Sequence, residues 1–411
     1  MARKDSRTLV VCGHGMVAQR FLEELVAAGR GAFDRVVVFG AEPAPAYNRI
    51  QLSALLAGDT DEANLRLQPD HWFRRHRIDV HPGEPVVRID RDRRCVVTVT
   101  GRVQSFDTLV LATGARAVRP DLPGMALDGV ATLRDLADAR TLIARAHHDR
   151  RAVVVGGGFL GLEAADGLRR RGLDVTVLHR APHLLNRQLD ANGGAVLADH
   201  LRSRGLTITT GTAPVRLLGQ RSVRAVQLHD DTVLGTDLVV VATGIAPNRS
   251  LAEAAGLECG QGIRVNARLQ TSDRDIYALG ECCQRGDRTF GLVAPGYQQA
   301  QRLARHLTGQ GVSAPETNDD ALATRLKISG VAVFSCGQHS PDAGTESVVW
   351  QDREAGHYGH LLIRDQRLVG AVLVGDTRDG DWYQERIRQG DSVADMRAKL
   401  PFGKPYCEAA A

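Results

Sequence analysis

Short apolar runs alternate with amphipathic stretches over roughly the first three quarters of the chain. The β-type runs cover residues 8–12, 36–39, 109–111, 152–155, 175–178 and 239–241. Runs this continuous are typical of strands buried on both faces of a parallel sheet. Because helical patterns lie between them, the sequence predicts α/β domains with right-handed crossovers.

The pattern changes near Ser313. Polar residues continue to Asp320, and then come shorter β-type runs at 327–335, 347–350, 360–363 and 368–374 and a helical stretch at 381–389. This arrangement predicts a separate C-terminal α+β domain of about 90 residues. Its position alone allows three roles: packing on the preceding domain, forming a homodimer, or docking a partner.

A glycine pattern occurs twice, at Gly13–Ala18 and at Gly156–Gly161. Each copy follows an apolar run and opens a helical pattern, which is the context of a dinucleotide-binding loop. Two such loops predict two bound dinucleotides. Hydride transfer from a nicotinamide to a flavin is the obvious use for such a pair.

A second signature is repeated, because the runs at 109–114 and 239–244 both end in Ala-Thr-Gly. Small residues at a strand end indicate a close approach to neighbouring backbone or to a ligand. The repeated pairing predicts two similar Rossmann-like units, the second inserted into the first through a linker at 118–124 and a return near Asp237. The predicted segments are 1–118 and 238–312 for FAD, 119–237 for NAD(P), and 313–411 for the C-terminal domain.

The amino-acid composition narrows the range of functions that the chain can have. The 411 residues are 43% hydrophobic and 24% charged, and the net charge of +4 comes from scattered arginines without a long basic run. This argues against binding to nucleic acid or to a membrane surface. The short polar N-terminus resembles no signal peptide, so we expect a cytoplasmic protein. Seven cysteines without a C-x-x-C pattern predict neither a disulfide framework nor a metal site.

The first glycine loop is expected to hold FAD. Gly13 would permit the tight turn, Gly15 the approach of backbone to the pyrophosphate, and Ala18 stands where a third glycine is usual. Glu42, after the second strand, could accept a hydrogen bond from a ribose hydroxyl or be an exposed loop acid. Arg49 could clamp a phosphate or form a salt bridge at a helix start.

Later elements complete this predicted flavin site. Glu281 follows Gly280 directly after a strand, and its carboxylate could accept hydrogen bonds from a ribityl chain. The stretch at 291–297 opens a helix, expected to begin near Pro295, whose positive end could stabilise negative charge on a reduced flavin.

The second loop carries all three glycines, Gly156, Gly158 and Gly161. The strand after it ends in His179-Arg180 rather than in an acid. Since an acid there would repel a 2′-phosphate and a cation would attract it, the sequence favours NADPH. The alternative is that Arg180 is a surface residue and NADH is accepted as well. Glu163 could bind the nicotinamide carboxamide or be an exposed helix acid.

These motifs together resemble the two-dinucleotide flavoprotein reductases of the ferredoxin-reductase and glutathione-reductase superfamily, over residues 8 to about 312. The segments Tyr47–Ser53, Gln188–Gly194 and Phe290–Tyr297 resemble most closely the flavoprotein module of assimilatory NAD(P)H nitrite reductase large subunits and electron-transfer subunits of assimilatory nitrate reductase. Ala54, where many ferredoxin reductases have a lysine, and His179, where NADH users have an acid, depart from those patterns.

This resemblance, with the motifs, implies site residues but no catalytic acid or base, because hydride transfer requires only cofactor placement. The predicted FAD-binding residues are Gly13, Gly15, Met16, Val17, Ala18, Glu42, Arg49, Val86, Ala112, Thr113, Gly114, Gly280, Glu281, Leu292 and Val293. The predicted NAD(P)-binding residues are Gly156, Gly158, Phe159, Leu160, Gly161, Glu163, His179, Arg180, Arg187 and Gly244.

No cysteine pair of the disulfide-reductase kind occurs at 40–60. The adjacent Cys282 and Cys283 are expected to be small buried hydrophobes, with a redox role as the alternative. Electrons would therefore leave FAD one at a time for an external centre.

We therefore expect an FAD-dependent NAD(P)H dehydrogenase that serves an iron–sulfur, molybdenum or sirohaem reductase subunit of nitrate or nitrite assimilation, without reducing nitrite by itself. The alternatives are a rubredoxin or ferredoxin reductase of another pathway and a slow-turnover regulatory flavoprotein.

Overall fold

A computed structural model of the chain describes residues 7–310, 323–328 and 330–408. Two compact units are present. The first contains the described residues of Met1–Leu52, Thr60–Ala117 and Ile245–Pro315, and the second those of Ser53–Asp59, Val118–Gly244 and Glu316–Ala411. The division into four segments stays a prediction; in the structure the chain changes unit after Ala117 and again after Gly244.

The strands are numbered in chain order. Up to the second glycine loop they are β1 Arg7–Cys12, β2 Phe33–Phe39, β3 Ile78–His81, β4 Val86–Asp90, β5 Cys95–Thr98, β6 Val103–Ser105, β7 Thr108–Leu111, β8 Ala115–Ala117, β9 Val130–Ala131 and β10 Arg151–Val155. Beyond it they are β11 Asp174–His179, β12 Thr207–Thr210, β13 Pro214–Gly219, β14 Val223–Leu228, β15 Val233–Gly235, β16 Leu238–Val241, β17 Ile245–Pro247, β18 Ile263–Arg264, β19 Ile276–Ala278, β20 Cys283–Arg285, β21 Arg288–Thr289, β22 Thr324–Ile328, β23 Val331–Gly337, β24 Glu346–Asp352, β25 His357–Arg364 and β26 Arg367–Val374.

The helices are numbered in the same way. They are α1 Met16–Ala27, α2 Leu52–Ala57, α3 Glu62–Leu65, α4 Asp70–Arg75, α5 Leu136–Arg145, α6 Phe159–Arg170, α7 Ala191–Ser203, α8 Ser250–Ala254, α9 Val293–Leu307, α10 Gly380–Gln389 and α11 Lys404–Glu408. Within the described ranges, 3₁₀ segments occur at Arg49–Gln51, Gly280–Cys282 and Ala394–Phe402.

The first unit is built on a parallel sheet with strand order β19-β7-β1-β2-β3. The strands of this sheet are apolar on both faces because other elements of the unit pack against each face. Phe21 and Leu22 of α1 and Leu303 of α9 belong to the core cluster on one side, and Ile89, Phe106 and other buried residues form a second cluster. Three small sheets surround the parallel one: β4-β5-β6, β17-β8 and β18-β20-β21.

The second unit repeats this plan in a parallel sheet of order β12-β11-β10-β16-β9. It also contains the sheet β13-β14-β15 and the antiparallel C-terminal sheet β22-β23-β26-β25-β24. Helix α7 packs against β25 and β26, and α10 packs against β26. The two parallel sheets confirm the predicted α/β class. The antiparallel C-terminal sheet with its helices confirms the predicted α+β addition.

Two predicted elements need correction. The apolar run 327–335 was expected as one strand but forms the hairpin of β22 and β23. Gly330 lies between them with a φ of +80°, a left-handed conformation that breaks extended structure and favours glycine. The helix expected to begin near Pro295 begins at Val293, and Pro295 lies in its first turn, where proline is tolerated.

Among the described residues, no helix is both long and apolar enough to cross a bilayer. The predicted linker residues at 313–320 lie outside the described residues.

Both glycine loops are fixed by the same backbone contact. The N–H of Gly13 donates to the Phe39 carbonyl at 2.8 Å, and that of Gly156 donates to Leu178 at 2.8 Å. A Cβ on Gly13 would lie 2.1 Å from the carbonyl oxygen of Ala112, and one on Gly156 would lie 2.2 Å from that of Ala242. Both alanines begin an Ala-Thr-Gly signature, so the two repeated motifs meet in each unit.

The second loop has a further contact without room for a side chain. A Cβ on Gly161 would lie 1.9 Å from the carbonyl oxygen of Gly156. In the first loop the equivalent place holds Ala18, which is buried in the core. The close approach of helix α6 to its own loop therefore requires glycine at 161.

We expect Gly161→Ala to destabilise the second unit by roughly 3 kcal/mol or more, because the new methyl group meets rigid backbone. Gly158→Ala is the matched control in the same loop, since its φ is −87° and its Cβ would have no atom within 4 Å. Thermal unfolding followed by circular dichroism measures both. Equal losses of thermal midpoint in the two variants would contradict this explanation of the glycines.

Candidate functional site

The first loop leaves a helix N-terminus open at the carboxyl end of β1. Gly15 precedes α1, and no side chain caps its first turn. A Cβ on Gly15 would meet only the Arg49 Nε, at 4.0 Å. Free amide groups at a helix start attract anions. Burial lowers the pKa of neighbouring His14 to about 4, so the amides there, rather than an imidazolium, would attract a phosphate.

Two predicted site residues, Glu42 and Arg49, lie beside this opening and contact each other. The Glu42 carboxylate accepts hydrogen bonds from the Tyr47 hydroxyl at 2.7 Å and from the Arg49 guanidinium. The guanidinium also lies 4.9 Å from the centre of the Tyr47 ring. Both groups are partly exposed, so the pair stays accessible to a ligand. Tyr47 was missed as a site residue although it opens the Tyr47–Ser53 motif.

The strand signature after β7 is held by a reciprocal pair of hydrogen bonds. The Thr113 hydroxyl donates to the Asn248 carbonyl at 2.7 Å, and the Asn248 amide donates to the Thr113 carbonyl at 2.8 Å. The N–H of Ala112 donates to the carbonyl of Cys12 on β1. Gly114 has a φ of +65°, and a Cβ there would have no atom within 4 Å. Asn248 was missed, since a polar residue after β17 carries no periodic signal.

Val17 connects the remaining predicted flavin residues. Its side chain would lie 3.4 Å from a Cβ on Gly280 and 2.6 Å from one on Gly296 of α9. The N–H of Gly280 donates to the Gln299 side chain at 2.7 Å. The start of α1, the Gly280-Glu281 element and the start of α9 therefore lie together. Gln299 was missed; it is a buried polar residue one turn after Gly296 on α9, and its partner Gly280 is 19 positions away in the chain.

Helix α9 begins at Val293, and Leu292 occupies its N-cap position without a side-chain hydrogen bond. Val86 begins β4 and packs against a core cluster. The residues just before it, Gly83 and Glu84, donate N–H groups to Glu42 and Gly40 at 2.8 Å each. Val86 therefore lies near the loop after β2, as a flavin-lining residue would.

Cys282 and Cys283 are fully buried and free. Their thiols donate to the carbonyls of Leu279 and Gly280 at 3.2 Å each. Burial raises the pKa of both thiols, which disfavours the reactive thiolate. These observations favour the expected role as small hydrophobes over a redox role.

The second loop repeats the first. Gly158 precedes α6, no side chain caps that helix, and a Cβ there would meet nothing within 4 Å. Phe159 and Leu160 supply the first half-buried turn of the helix. Gly244, after β16, has a φ of +132° and open space beside it. By contrast, α5 and α7 are capped by Asp135 and Asp190.

His179 ends β11 in a neutral form, which corrects the expectation that it adds positive charge. Its Nδ1 accepts the N–H of Gly157 at 3.1 Å, so the proton lies on Nε2, 3.2 Å from the Asn186 side-chain oxygen. Burial lowers the pKa of His179, and the nearby charge of Arg180 lowers it further. Arg180 and Arg187 are exposed, and among the described residues neither has an ion pair.

Glu163 lies on α6 beside a cavity of about 590 Å³ within the second unit. The cavity is also lined by Ser53, Arg170, Arg204 and Lys327. Burial raises the pKa of Glu163, and a hydrogen bond with Ser53 opposes that shift. A carboxylate at this place can accept hydrogen bonds from the N–H₂ group of an amide.

The arrangement offers two similar anion-binding openings, each at the carboxyl end of a parallel strand where such folds bind dinucleotides. Each opening pairs a glycine that the protein's own packing requires with a glycine that faces open space. Among the described residues, no cluster of three His, Cys, Asp or Glu is placed to hold a metal ion.

Two family models match this chain. Residues 7–304 match the pyridine nucleotide-disulphide oxidoreductase model, and residues 323–391 match the rubredoxin NAD+ reductase C-terminal domain.

Similar proteins include redox enzymes and subunits. A nitrite reductase [NAD(P)H] of Bacillus subtilis is 37% identical over 404 residues, which cover 98% of this chain and 50% of that protein. An assimilatory nitrate reductase electron transfer subunit of the same organism is 38% identical, over 90% of this chain and 48% of the relative. The chain thus spans about half the length of these relatives.

The crystal structure of a ferredoxin reductase for the CYP199A2 system from Rhodopseudomonas palustris has a TM-score of 0.87 and 28% identity, covering 99% of this chain and 100% of that one. The resemblance inferred from the glycine loops is confirmed by these matches. The chain belongs to the pyridine nucleotide-disulphide oxidoreductase family.

Proposed function

We propose that this chain is an FAD-dependent NAD(P)H dehydrogenase that passes electrons to a partner redox protein. Membership of its family supports a flavin and a pyridine nucleotide in general. The observation that carries the proposal is the duplication of the opening. Each loop places a glycine at an uncapped helix start, where a Cβ would meet only the Arg49 Nε at 4.0 Å for Gly15 and no atom within 4 Å for Gly158. An anionic pyrophosphate fits both places because the backbone supplies donors and no side chain blocks it.

FAD, when bound, accepts a hydride from a nicotinamide and releases electrons one at a time. We assign its pyrophosphate to the N–H groups at Gly15, Met16 and Val17, behind the turn at Gly13 and above the buried Ala18. Glu42 would accept a hydrogen bond from a ribose hydroxyl, and the Arg49 guanidinium, which is bonded to Glu42, would bind the phosphates.

The other residues that we assign to the flavin are grouped around the proposed position of the pyrophosphate. The strand-end residues Ala112, Thr113 and Gly114 bring backbone close, and Val86 adds an apolar contact. Glu281 offers a carboxylate to hydroxyl groups of the cofactor, next to Gly280. The N-terminus of α9, at Leu292 and Val293, supplies positive potential to the ring system.

We assign the pyridine nucleotide to the second loop. Backbone at Gly156, Gly158, Phe159, Leu160 and Gly161 receives its pyrophosphate, and Gly244 lets the opposite backbone come close. Glu163 would bind the carboxamide, because a carboxylate accepts hydrogen bonds from an amide N–H₂ group. No side-chain acid or base takes part in hydride transfer; the chain contributes placement of the reacting groups.

NADPH is the preferred nucleotide in this proposal. Arg180 and Arg187 are exposed cations after β11 without ion-pair partners among the described residues, and His179 contributes a neutral ring. The preference therefore depends on the two arginines, which match a phosphate in geometry as well as charge.

The electron acceptor we propose is a reductase component of nitrate or nitrite assimilation, an iron–sulfur, molybdenum or sirohaem protein or domain. Two relatives with those names, both over 35% identical, support this choice. A second candidate is reduction of a ferredoxin or rubredoxin. The match of residues 323–391 to a rubredoxin reductase C-terminal domain favours that alternative.

We expect Arg180→Glu to raise the KM for NADPH about 10- to 100-fold, since a charge-assisted hydrogen bond contributes about 1.5–3 kcal/mol. The KM for NADH should change little. Arg216→Glu, at another exposed arginine of the second unit, is the control. Steady-state rates with ferricyanide as acceptor measure both. An equal rise of KM for the two nucleotides in Arg180→Glu would contradict the assignment.

The direct test of the proposed activity is anaerobic stopped-flow mixing of the FAD-loaded chain with NADPH. An electron-transfer enzyme should lose its flavin absorbance at more than about 1 s⁻¹, as typical turnover requires. Bleaching that takes minutes would favour a slow regulatory flavoprotein instead. Capture of a molybdenum or sirohaem protein from cells grown on nitrate, against capture of a ferredoxin or rubredoxin, distinguishes the two acceptors.

A further inference from the structure

Three side chains of the second unit form a hydrogen-bonded chain that the proposed electron transfer does not use. The Ser347 Oγ lies 3.0 Å from the His360 Nε2, and the His360 Nδ1 lies 2.9 Å from a carboxylate oxygen of Asp190. Ser347 is on β24 and His360 on the adjacent β25, while Asp190 caps α7. Asp190 belongs to the Gln188–Gly194 segment, whose residues have no part in the dinucleotide sites.

The carboxylate fixes the state of the imidazole. An ionised carboxylate only accepts hydrogen bonds, so the Nδ1 of His360 must carry a proton. In the neutral ring, Nε2 is then an acceptor and receives the hydroxyl proton of Ser347. This order of donors is the one that makes a serine hydroxyl nucleophilic.

Asp190 is held rigidly in its charged form. One of its oxygens accepts the N–H of Gly193 at 3.1 Å, and the other accepts the Tyr358 hydroxyl as well as His360. Burial would raise the pKa of Asp190, but the hydrogen bonds from His360, Tyr358 and Gly193 outweigh it and lower that pKa. The charge that orients His360 is therefore present near neutral pH.

The exposure of the three side chains increases from the Asp190 end of the hydrogen-bonded chain to the Ser347 end. Asp190 and His360 are 8% and 4% exposed, whereas Ser347 is an exposed residue. A chain that served only to connect α7 with the C-terminal sheet would need the Asp190–His360 contact but no hydroxyl at its solvent end. Here the reactive end is open to a substrate, and the orienting charge is shielded from water.

We propose that Ser347, His360 and Asp190 form a second site that takes activated carboxylic esters. The Ser347 Oγ attacks the ester carbonyl, and its proton passes to the His360 Nε2. The ester C–O bond then breaks, the leaving alcohol receives that proton, and an acyl group remains on Ser347. Water, deprotonated by His360, releases the acid and restores the serine, so no oxidant or reductant takes part.

The position of β24 in its sheet supplies hydrogen-bond donors for the carbonyl oxygen of the ester. β24 is the outer strand of the order β22-β23-β26-β25-β24. An outer strand presents backbone N–H groups that no second strand takes up. Such groups beside Ser347 can bind the oxygen that becomes negative during attack.

The test treats the full chain with a fluorophosphonate probe and locates the adduct by peptide mass spectrometry. We expect one adduct per chain, on Ser347, with loss of fluoride. His360→Gln should slow labelling about 100-fold or more, as expected for removal of a general base. Labelling that stays random over the surface serines, or that is absent, would overturn the site.

Matched variants separate chemistry from stability. Ser340→Ala removes another exposed serine near the sheet and should leave labelling unchanged. Tyr358→Phe removes one hydrogen bond to the Asp190 carboxylate and keeps the His360 and Ser347 side chains, so it should label more slowly than the unaltered chain but much faster than His360→Gln. If Tyr358→Phe lost labelling as fully as His360→Gln at an unchanged thermal midpoint, the proposed order of proton transfer would be wrong.

Asp190 acts as a positioning residue, and its test uses hydrolysis of p-nitrophenyl acetate. Asp190→Asn keeps a side chain that can cap α7 but favours the wrong imidazole tautomer. We expect a lower kcat at unchanged KM. A loss confined to thermal stability would assign Asp190 a structural role only and overturn its part in the site.

Discussion

The structure depends on two places where backbone lies against backbone without space for a side chain. In each unit the first glycine of the loop contacts the carbonyl group of the alanine that begins an Ala-Thr-Gly signature. A Cβ added to that glycine would lie only 2.1 or 2.2 Å from the carbonyl oxygen. This contact brings the carboxyl ends of two adjacent parallel strands together. The loop is thereby forced to turn at once into a helix, whose free amide groups then point outward from the sheet edge.

The glycines of these loops divide into two kinds, and the division separates folding from ligand binding. Gly13, Gly156 and Gly161 are required by the protein itself, whereas a Cβ on Gly15 or Gly158 would meet no atom closer than 4.0 Å. The second kind leaves room for a ligand to come close to the backbone. In the second unit, α5 and α7 begin with aspartate caps, whereas α6, like α1, begins at a glycine without a side-chain cap. The amide groups at these two glycine starts are therefore free to bind an anionic ligand.

Much of this could be predicted from the sequence, because it depends on local patterns. The glycine loops, the Ala-Thr-Gly strand ends and the alternation of strands and helices are written in consecutive residues. The hairpin of β22 and β23 was predicted as one strand, since apolar periodicity does not detect a left-handed turn at Gly330. The charge of His179 was also misjudged, because its tautomer depends on the N–H of Gly157, 22 residues away.

Residues that act through distant contacts could not be found in this way. Asn248 is bonded to Thr113 across 135 positions, and His360 to Asp190 across 170. Nothing in the local sequence of either partner identifies the other, because only the folded sheets bring them together. Tyr47 and Gln299 were missed for a related reason: their side chains complete a site whose centre is supplied by other elements.

In the proposed function, one chain holds two dinucleotides in separate openings. Isothermal titration of the flavin-free chain with FAD, followed by titration of the FAD-loaded chain with NADP⁺, measures this most directly. Two separate openings predict one FAD and one NADP⁺ per chain, with NADP⁺ binding undiminished by bound FAD. Displacement of one nucleotide by the other, or failure to bind FAD at all, would contradict it.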